Sequence, residues 1–447
     1  KAGDEDGLAE FPESLQERAP ELALLSPEKL EATAAALALG MTLGFTGTAV
    51  SQPNASGLSP QRLERVTAVL DKYIDDGAIA GAVSLIYRHG EVAHLSARGF
   101  QDIDTQTPMR RDTIFGLASM TKPITAVAAM MLVEEGKLRL DEPVDHWLPE
   151  LAERKVLNDP SGPLDDVHDS PRSITLRDLL TYTMGLGVTG YAGISPDAPI
   201  AEAFAALRRG GERTADEFMK RLGALPLVYA PGERFMYNTA STVTGILISR
   251  VSGMGLGRFM ETKIFDPLGM TDTGFSVPAH KRTRLATYYR GGERAGTLVR
   301  LANNDTRYAA LPVLPSGAGG LVSTVDDYLM FARMMLNKGQ VDGVRILSRT
   351  SIELMTTDHM PEDPDRRFFI NENFWRGAGF GFGVEVATDR FNLGPSVGSF
   401  WWHGATGVAW TADPHEDMIF LRFIQRSGSA PGFSADYMAA VYQAIVD

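Results

Sequence analysis

Apolar residues recur at helical spacing at Leu63, Val66, Val69 and Leu70, directly after Ser59-Pro60. A serine followed by proline before such a stripe predicts a helix that Ser59 caps. Two apolar runs, 80–87 and 92–100, flank Arg88-His89-Gly90, which predicts an antiparallel hairpin. A further run, 124–132, is rich in alanine and methionine. These are strong helix formers, and the helix is expected to end near Glu135-Gly136.

From Leu140 to about Phe275 strand signals are sparse. Helices are expected over 176–183, over 199–209 with Gly210 at the end, from a Thr214–Glu217 capping box, over 239–252 with Gly253 after it, and over 257–265. Beyond a Pro/Gly loop at 311–320 the pattern predicts a helix over 324–337 and a long aromatic and charged loop over 361–379. Strands follow over 380–387, 400–403, 407–412 and 418–424, then a terminal helix over 436–446. Strands and helices thus occupy both ends of the chain and helices the middle. The expected fold class is α/β (α+β): residues 58–138 and 276–447 form a domain with an antiparallel sheet flanked by helices, and 139–275 form an inserted all-helical domain. Residues 1–57 read as a peripheral arm, and the site is expected in the cleft between the two domains.

The chain has 447 residues, 44% hydrophobic and 22% charged, an ordinary globular composition. Its net charge of −13 argues against binding nucleic acid through phosphates. With no cysteine, disulfides and thiolate metal sites are excluded. No stretch is long and apolar enough to span a bilayer. Residues 34–50, with Ala49-Val50-Ser51 after the apolar run, resemble the core of a signal peptide. They lie far from residue 1, and acidic residues precede them. The expectation is therefore a helix starting at Ser26 that fades into a linker, and a cytoplasmic rather than periplasmic location.

The candidate chemistry centres on Gly116-Leu117-Ala118-Ser119-Met120-Thr121-Lys122-Pro123. A helix beginning near Ser119 puts Lys122 one turn along the same face, so a hydroxyl at a helix N-terminus has a base or proton relay beside it. Ser26-Pro27-Glu28-Lys29 has the same spacing, but there the serine reads as an N-cap with proline at the first helical position. Tyr237 follows the turn at Pro231-Gly232 and precedes a helix. A lysine ammonium nearby would stabilise its phenolate and let it shuttle the serine proton. Trp401-Trp402-His403-Gly404-Ala405-Thr406-Gly407 reads as a strand end. Its glycines permit close approach of a ligand, and the Ala405 amide could join that of Ser119 as an oxyanion hole. Trp402 also fits plain core packing, and His403 a polar edge position. Ser396 sits in a formal GxSxG, Gly394-Pro395-Ser396-Val397-Gly398. A nucleophile elbow needs a strand before its serine and a helix after it; with proline inside the motif and an aromatic strand next, Ser396 reads as a loop residue. The eight histidines are scattered without HExxH, so no metal or cofactor is expected, and 165–169 reads as a solvated loop.

Six stretches together resemble the serine β-lactamase and penicillin-binding protein superfamily, and within it the class C-like branch of family VIII carboxylesterases: 114–125, 176–187, 231–241, 264–275, 315–328 and 402–414. The resemblance runs from about Ser59 to the C-terminus. It implies a serine β-lactamase-like fold, Ser119 as nucleophile, Lys122 and Tyr237 as proton-transfer groups, and Thr239, Trp402, His403 and Gly404 as substrate-binding positions. Two departures matter. Thr239 replaces the asparagine of the class C tyrosine motif, and Trp402-His403-Gly404 replaces Lys-Thr-Gly. Loss of that lysine, which would steer a substrate carboxylate, resembles the esterase branch.

Three functions are expected to compete. The first is a carboxylesterase for short acyl esters with weak cephalosporin cleavage. The second is a β-lactamase or D-amino-acid peptidase of the same fold, and the third a non-catalytic ligand-binding module. The partner in each case is a small molecule, an ester or a β-lactam; sequence does not give the oligomeric state.

Overall fold

An eight-stranded antiparallel sheet organises the molecule in a computed structural model, which describes residues 55–207, 213–302, 306–371, 373–390, 392–428 and 430–447. Residues 1–54, with the expected Ser26 helix and most of the peripheral arm, lie outside the described residues, as do Arg209 and Gly210 at the expected end of the 199 helix.

The strands are β1 (Gly81–Arg88), β2 (Glu91–Asp102), β3 (Thr107–Pro108), β4 (Ala378–Phe380), β5 (Glu385–Ala387), β6 (Phe400–His403), β7 (Ala409–Asp413) and β8 (Met418–Ile424), in the order β4-β5-β6-β7-β8-β1-β2-β3. The first strand of the chain therefore pairs with the last of the sheet, Leu85 opposite Leu421. Every residue of β1 is buried, because helices cover both faces. Ala82 and Ile86 meet α1 (Pro60–Asp75) and α5 (Phe433–Tyr442) through Leu63, Val66, Tyr437 and Val441. Val83 and Leu85 belong to the larger core on the other face, with α2 (Thr121–Glu134) and α4 (Val325–Leu336). The Ser59 side chain accepts from the Arg62 amide, capping α1 as the sequence predicts. Helix α3 (Thr239–Ser252) packs against α2 and ends at Gly253 in the left-handed conformation.

The structure departs from expectation in several places. The run 380–387 makes two strands, β4 and β5, with a turn at 381–384 between them. β7 starts at Ala409, not at 407, because the Gly404 amide donates to the Val408 carbonyl and closes a turn first. The terminal helix starts at Phe433, three residues early. Within 139–275 a short antiparallel ribbon, Lys155–Leu157 with Val167–Asp169, interrupts the helices; part of the stretch read as a solvated loop is therefore an exposed strand. Small side chains and turn residues hid these pieces, since none is long enough to show a period. Among the described residues no helix is long and apolar enough to cross a membrane.

Candidate active site

Ser119 lies in a tight 3-10 turn, Ala118–Met120, immediately before α2. α2 is apolar nearly all round and buried on most sides, so its first turn is fixed in the core. Ala118, the residue before Ser119, is held at φ 44°, a conformation that costs energy for a residue with a side chain. Ser119 keeps part of its surface open, whereas Lys122 is 1% exposed.

Lys122 Nζ is 2.9 Å from Ser119 Oγ and donates to the Ala318 carbonyl at 2.6 Å. That carbonyl belongs to the Pro/Gly loop 311–320, which is anchored beside it by Thr125 Oγ1 donating to Gly317 O at 2.9 Å and by the Thr242–Ser316 hydroxyl pair at 2.8 Å. No carboxylate pairs with Lys122 among the described residues, and burial pushes its pKa well below the ordinary lysine value. Its ammonium position lies 4.6 Å from the centre of the Tyr237 ring.

Tyr237 is presented by a loop whose next residue, Asn238, has φ 86° and stands at the N-cap of α3. Its phenol is buried, which raises its pKa; the neighbouring Ser119 hydroxyl and Trp402 indole pull in the opposite direction without overcoming burial. Desolvation thus acts against the tyrosinate expected from sequence, and it also acts against the ammonium that was to stabilise it.

Trp402 is 1% exposed. Its ring packs against Tyr237 at 5.7 Å and Phe380 at 5.3 Å, and Nε1 makes no hydrogen bond of ordinary geometry. Trp402 thus backs Tyr237 from within an aromatic cluster, in keeping with the packing reading. His403 stacks on Trp402 at 5.1 Å and is exposed. Crowding by protein, with the Arg422 and Lys122 charges behind it, lowers its pKa, while its open face limits how far. Thr239 opens α3 and is buried.

The 404–407 turn lies directly on the nucleophile segment. Thr406 Oγ1 donates to the Gly116 carbonyl at 2.7 Å. A Cβ on Gly404 would collide with the Leu117 carbonyl oxygen. Gly404 is thus required for backbone to approach backbone. Ala405 is exposed, and neither its amide nor that of Ser119 donates to a backbone carbonyl. Thr406 ties together the segments that carry these two N–H groups.

Sequence reasoning missed Tyr182, although it lies in a quoted stretch. It is buried at φ 56°, its hydroxyl bonds Ser241 Oγ, and its ring meets Tyr237 at 5.4 Å. Tyr191 and Phe369 complete the aromatic surround of Tyr237, at 6.0 and 4.9 Å. The helix expected over 176–183 ends at Leu180 and leaves Tyr182 in the turn after it. Ser396 is 4% exposed with its amide bonded to Asp413, 3.0 Å away; the structure does not bring it to the site.

A family model described as Beta-lactamase matches residues 66–444. Protein Rv1367c of Mycobacterium tuberculosis is 42% identical over 381 residues, 84% of this chain and 92% of that protein. Esterase EstB of Burkholderia gladioli is 33% identical over 384 residues, 81% of this chain and 90% of that protein. Among solved structures, EstCE1, described as a hydrolase with promiscuous acyltransferase activity, superposes with a TM-score of 0.69 at 28% identity, covering 86% of this chain and 99% of that one.

Proposed function

Since the chain belongs to the Beta-lactamase family, within which it resembles the family VIII esterases, we propose that it is a serine carboxylesterase that works through an acyl-enzyme on Ser119. The observation that carries this reading is the 2.9 Å approach of a buried, carboxylate-free Lys122 to the Ser119 hydroxyl. Burial lowers the pKa of Lys122, and in this reading Lys122 takes the serine proton. Ser119 Oγ then bonds the ester carbonyl carbon, and the carbonyl electron pair moves to oxygen, where the Ser119 and Ala405 amides receive it. Collapse breaks the carbon–alkoxide bond. The leaving alkoxide takes a proton from the Lys122–Tyr237 pair, with the neutral phenol as the donor at hand. Water completes hydrolysis by the same steps in reverse, and an alcohol in its place gives acyl transfer. The resemblance to the family motifs supports His403 and Thr239 as substrate contacts.

β-Lactam cleavage needs the same acylation step and is expected to be slow, because Trp402 supplies no cation for the β-lactam carboxylate. The test is fluorophosphonate labelling read by intact mass, together with kcat/KM on p-nitrophenyl butyrate and on a cephalosporin. Labelling and turnover should vanish in Ser119→Ala and persist in Ser396→Ala. Labelling that survives Ser119→Ala, or a wild-type preference for the cephalosporin, refutes the proposal.

A further inference from the structure

Among the described residues, five aromatic rings pack around Tyr237. Four of them, Tyr182, Phe235, Phe369 and Trp402, are buried, whereas Tyr191 is 42% exposed. Its ring centre lies 6.0 Å from that of Tyr237 and 5.5 Å from that of Phe369, at interplanar angles of 53° and 77°. One large apolar face is thus left open to water beside the proposed proton donor.

That face is held in place from several sides. Tyr191 belongs to a 3-10 turn, Thr189–Ala192, and the following side chains of Ala192 and Ile194 are buried. The turn is fixed to the loop of Tyr237 itself, since the Val188 amide donates to the Tyr237 carbonyl at 3.0 Å. A Cβ on Gly187 would collide with the Met236 and Tyr237 carbonyl oxygens, so glycine is needed for this close approach. The Tyr191 carbonyl in turn accepts from the Ile370 amide at 3.0 Å. Ile370 is also half-exposed, and its φ of 64° is costly for a β-branched residue. A tyrosine on so constrained a backbone offers contact area at little cost in conformational entropy.

The proposed chemistry determines which end of an ester lies here. The Tyr237 hydroxyl neighbours that of Ser119, and it returns a proton to the departing alkoxide. The leaving oxygen must then come within hydrogen-bond reach of the phenol. The rest of the alcohol therefore starts beside Tyr237, whose one open neighbour among these five rings is Tyr191. A flat aromatic group placed there continues an array of rings that already meet at steep angles, the arrangement that aromatic quadrupoles favour.

We infer that Tyr191 is a specificity residue for the alcohol half of the substrate, whose open ring takes an aromatic group, so that the enzyme prefers benzyl-type esters over saturated esters of the same size and acyl group. This rests on the esterase reading above and adds to it the class of alcohol.

The experiment compares kcat/KM for benzyl acetate with that for cyclohexylmethyl acetate. Both give the same acetyl-enzyme, so the comparison reads acylation alone. Each ratio is divided by that for alkaline hydrolysis of the same two esters, which removes the intrinsic difference between the alcohols. Wild type should favour the benzyl ester by about five- to tenfold, the scale of one aromatic contact and the area it covers. Tyr191→Phe should keep this preference, and Tyr191→Leu should bring the ratio close to one. On the acyl side, the ratio for ethyl phenylacetate over ethyl cyclohexylacetate should not depend on residue 191. A wild-type ratio of one or less overturns the inference whether or not the variants fold. An unchanged ratio in Tyr191→Leu, an equal fall in Tyr191→Phe, or a dependence on residue 191 at the acyl side overturns it too. If neither acetate is turned over, the esterase reading has failed, and saturation-transfer NMR with benzyl alcohol decides the ring site separately. Weaker transfer in Tyr191→Leu than in wild type supports it; equal transfer in both, or none to wild type, overturns it.

Discussion

Thr406 is where the proposed oxyanion hole is most open to test. Its side chain is 4% exposed, and its hydroxyl donates to Gly116 O at 2.7 Å. The Gly116 amide is held in turn by the Tyr288 hydroxyl. Gly116 thus fixes the nucleophile segment at both polar atoms, one of them through the turn that carries the Ala405 amide. Thr406→Val keeps the shape and removes the donor, leaving a buried carbonyl without a partner at a cost of about 1–3 kcal/mol in stability. The kinetic consequence is separate. Deleting an oxyanion donor outright costs about 10²–10³-fold in kcat; loosening the turn that aims one should cost less, about 10–100-fold. Ground-state binding of a short ester does not depend on that amide, so KM should stay within about threefold.

The assay is kcat and KM on p-nitrophenyl butyrate for wild type, Thr406→Val and Thr406→Ser, with inhibition by a trifluoromethyl ketone as the second readout. Serine retains the hydroxyl and should recover most of kcat. The ketone, which forms the oxyanion in its complex, should weaken in parallel with kcat in the valine variant. Equal kcat for the serine and valine variants, or a fall in kcat with unchanged ketone affinity, refutes the positioning argument.

Lys122→Ala, Tyr237→Phe and the double variant should each lose about 10²–10⁴-fold in kcat, with the double little worse than the worse single, because the groups act as a unit; near-full kcat in Tyr237→Phe removes the tyrosine from the mechanism. Trp402→Lys should lower ester turnover and melting temperature together without creating an efficient β-lactamase, since the lysine would be buried against Tyr237; steady-state rates on both substrates check this. Glu385 is buried in β5 with its pKa raised to about 8, chiefly by desolvation. A raised carboxyl gives stability that is full below the unfolded value near 4.5 and is lost as pH rises through about 8. Glu385→Gln should therefore raise stability at pH 8, by at most roughly 4–5 kcal/mol, and lose that advantage near pH 4.5; denaturant melts at both pH values decide it.

What the sequence revealed follows from where its signals are periodic. α1, α2, α3 and the β1–β2 hairpin carry long runs with capping residues, and their expected bounds agree with the structure to within a residue or two. The pair Ser119–Lys122 was legible because one helical turn fixes the geometry of its two members. The packing of Trp402 was less legible for the opposite reason: alignment with a lysine motif says which position it occupies, not whether Phe380 and Tyr237 cover it. The need for glycine at 404 comes from Leu117, which is 287 positions away in sequence and invisible to local reading.

The electrostatics of the site follow from this packing. A buried lysine without a counter-ion is costly, and burial of Tyr237 penalises the phenolate as well. Both penalties push the pair towards a neutral amine and a neutral phenol, the protonation states that acylation and leaving-group departure require. No acidic partner is needed to set them, and one would work against them: a carboxylate beside Lys122 would restore its ammonium and remove the base. The aromatic layer of Tyr182, Phe380 and Trp402 packs around Tyr237, and Ala118 and Asn238, beside the two residues proposed to react, have positive φ. In this architecture the catalytic pKa values are a property of the core, so substitutions that let water reach Lys122 should slow the enzyme even where they leave every polar contact of Ser119 in place.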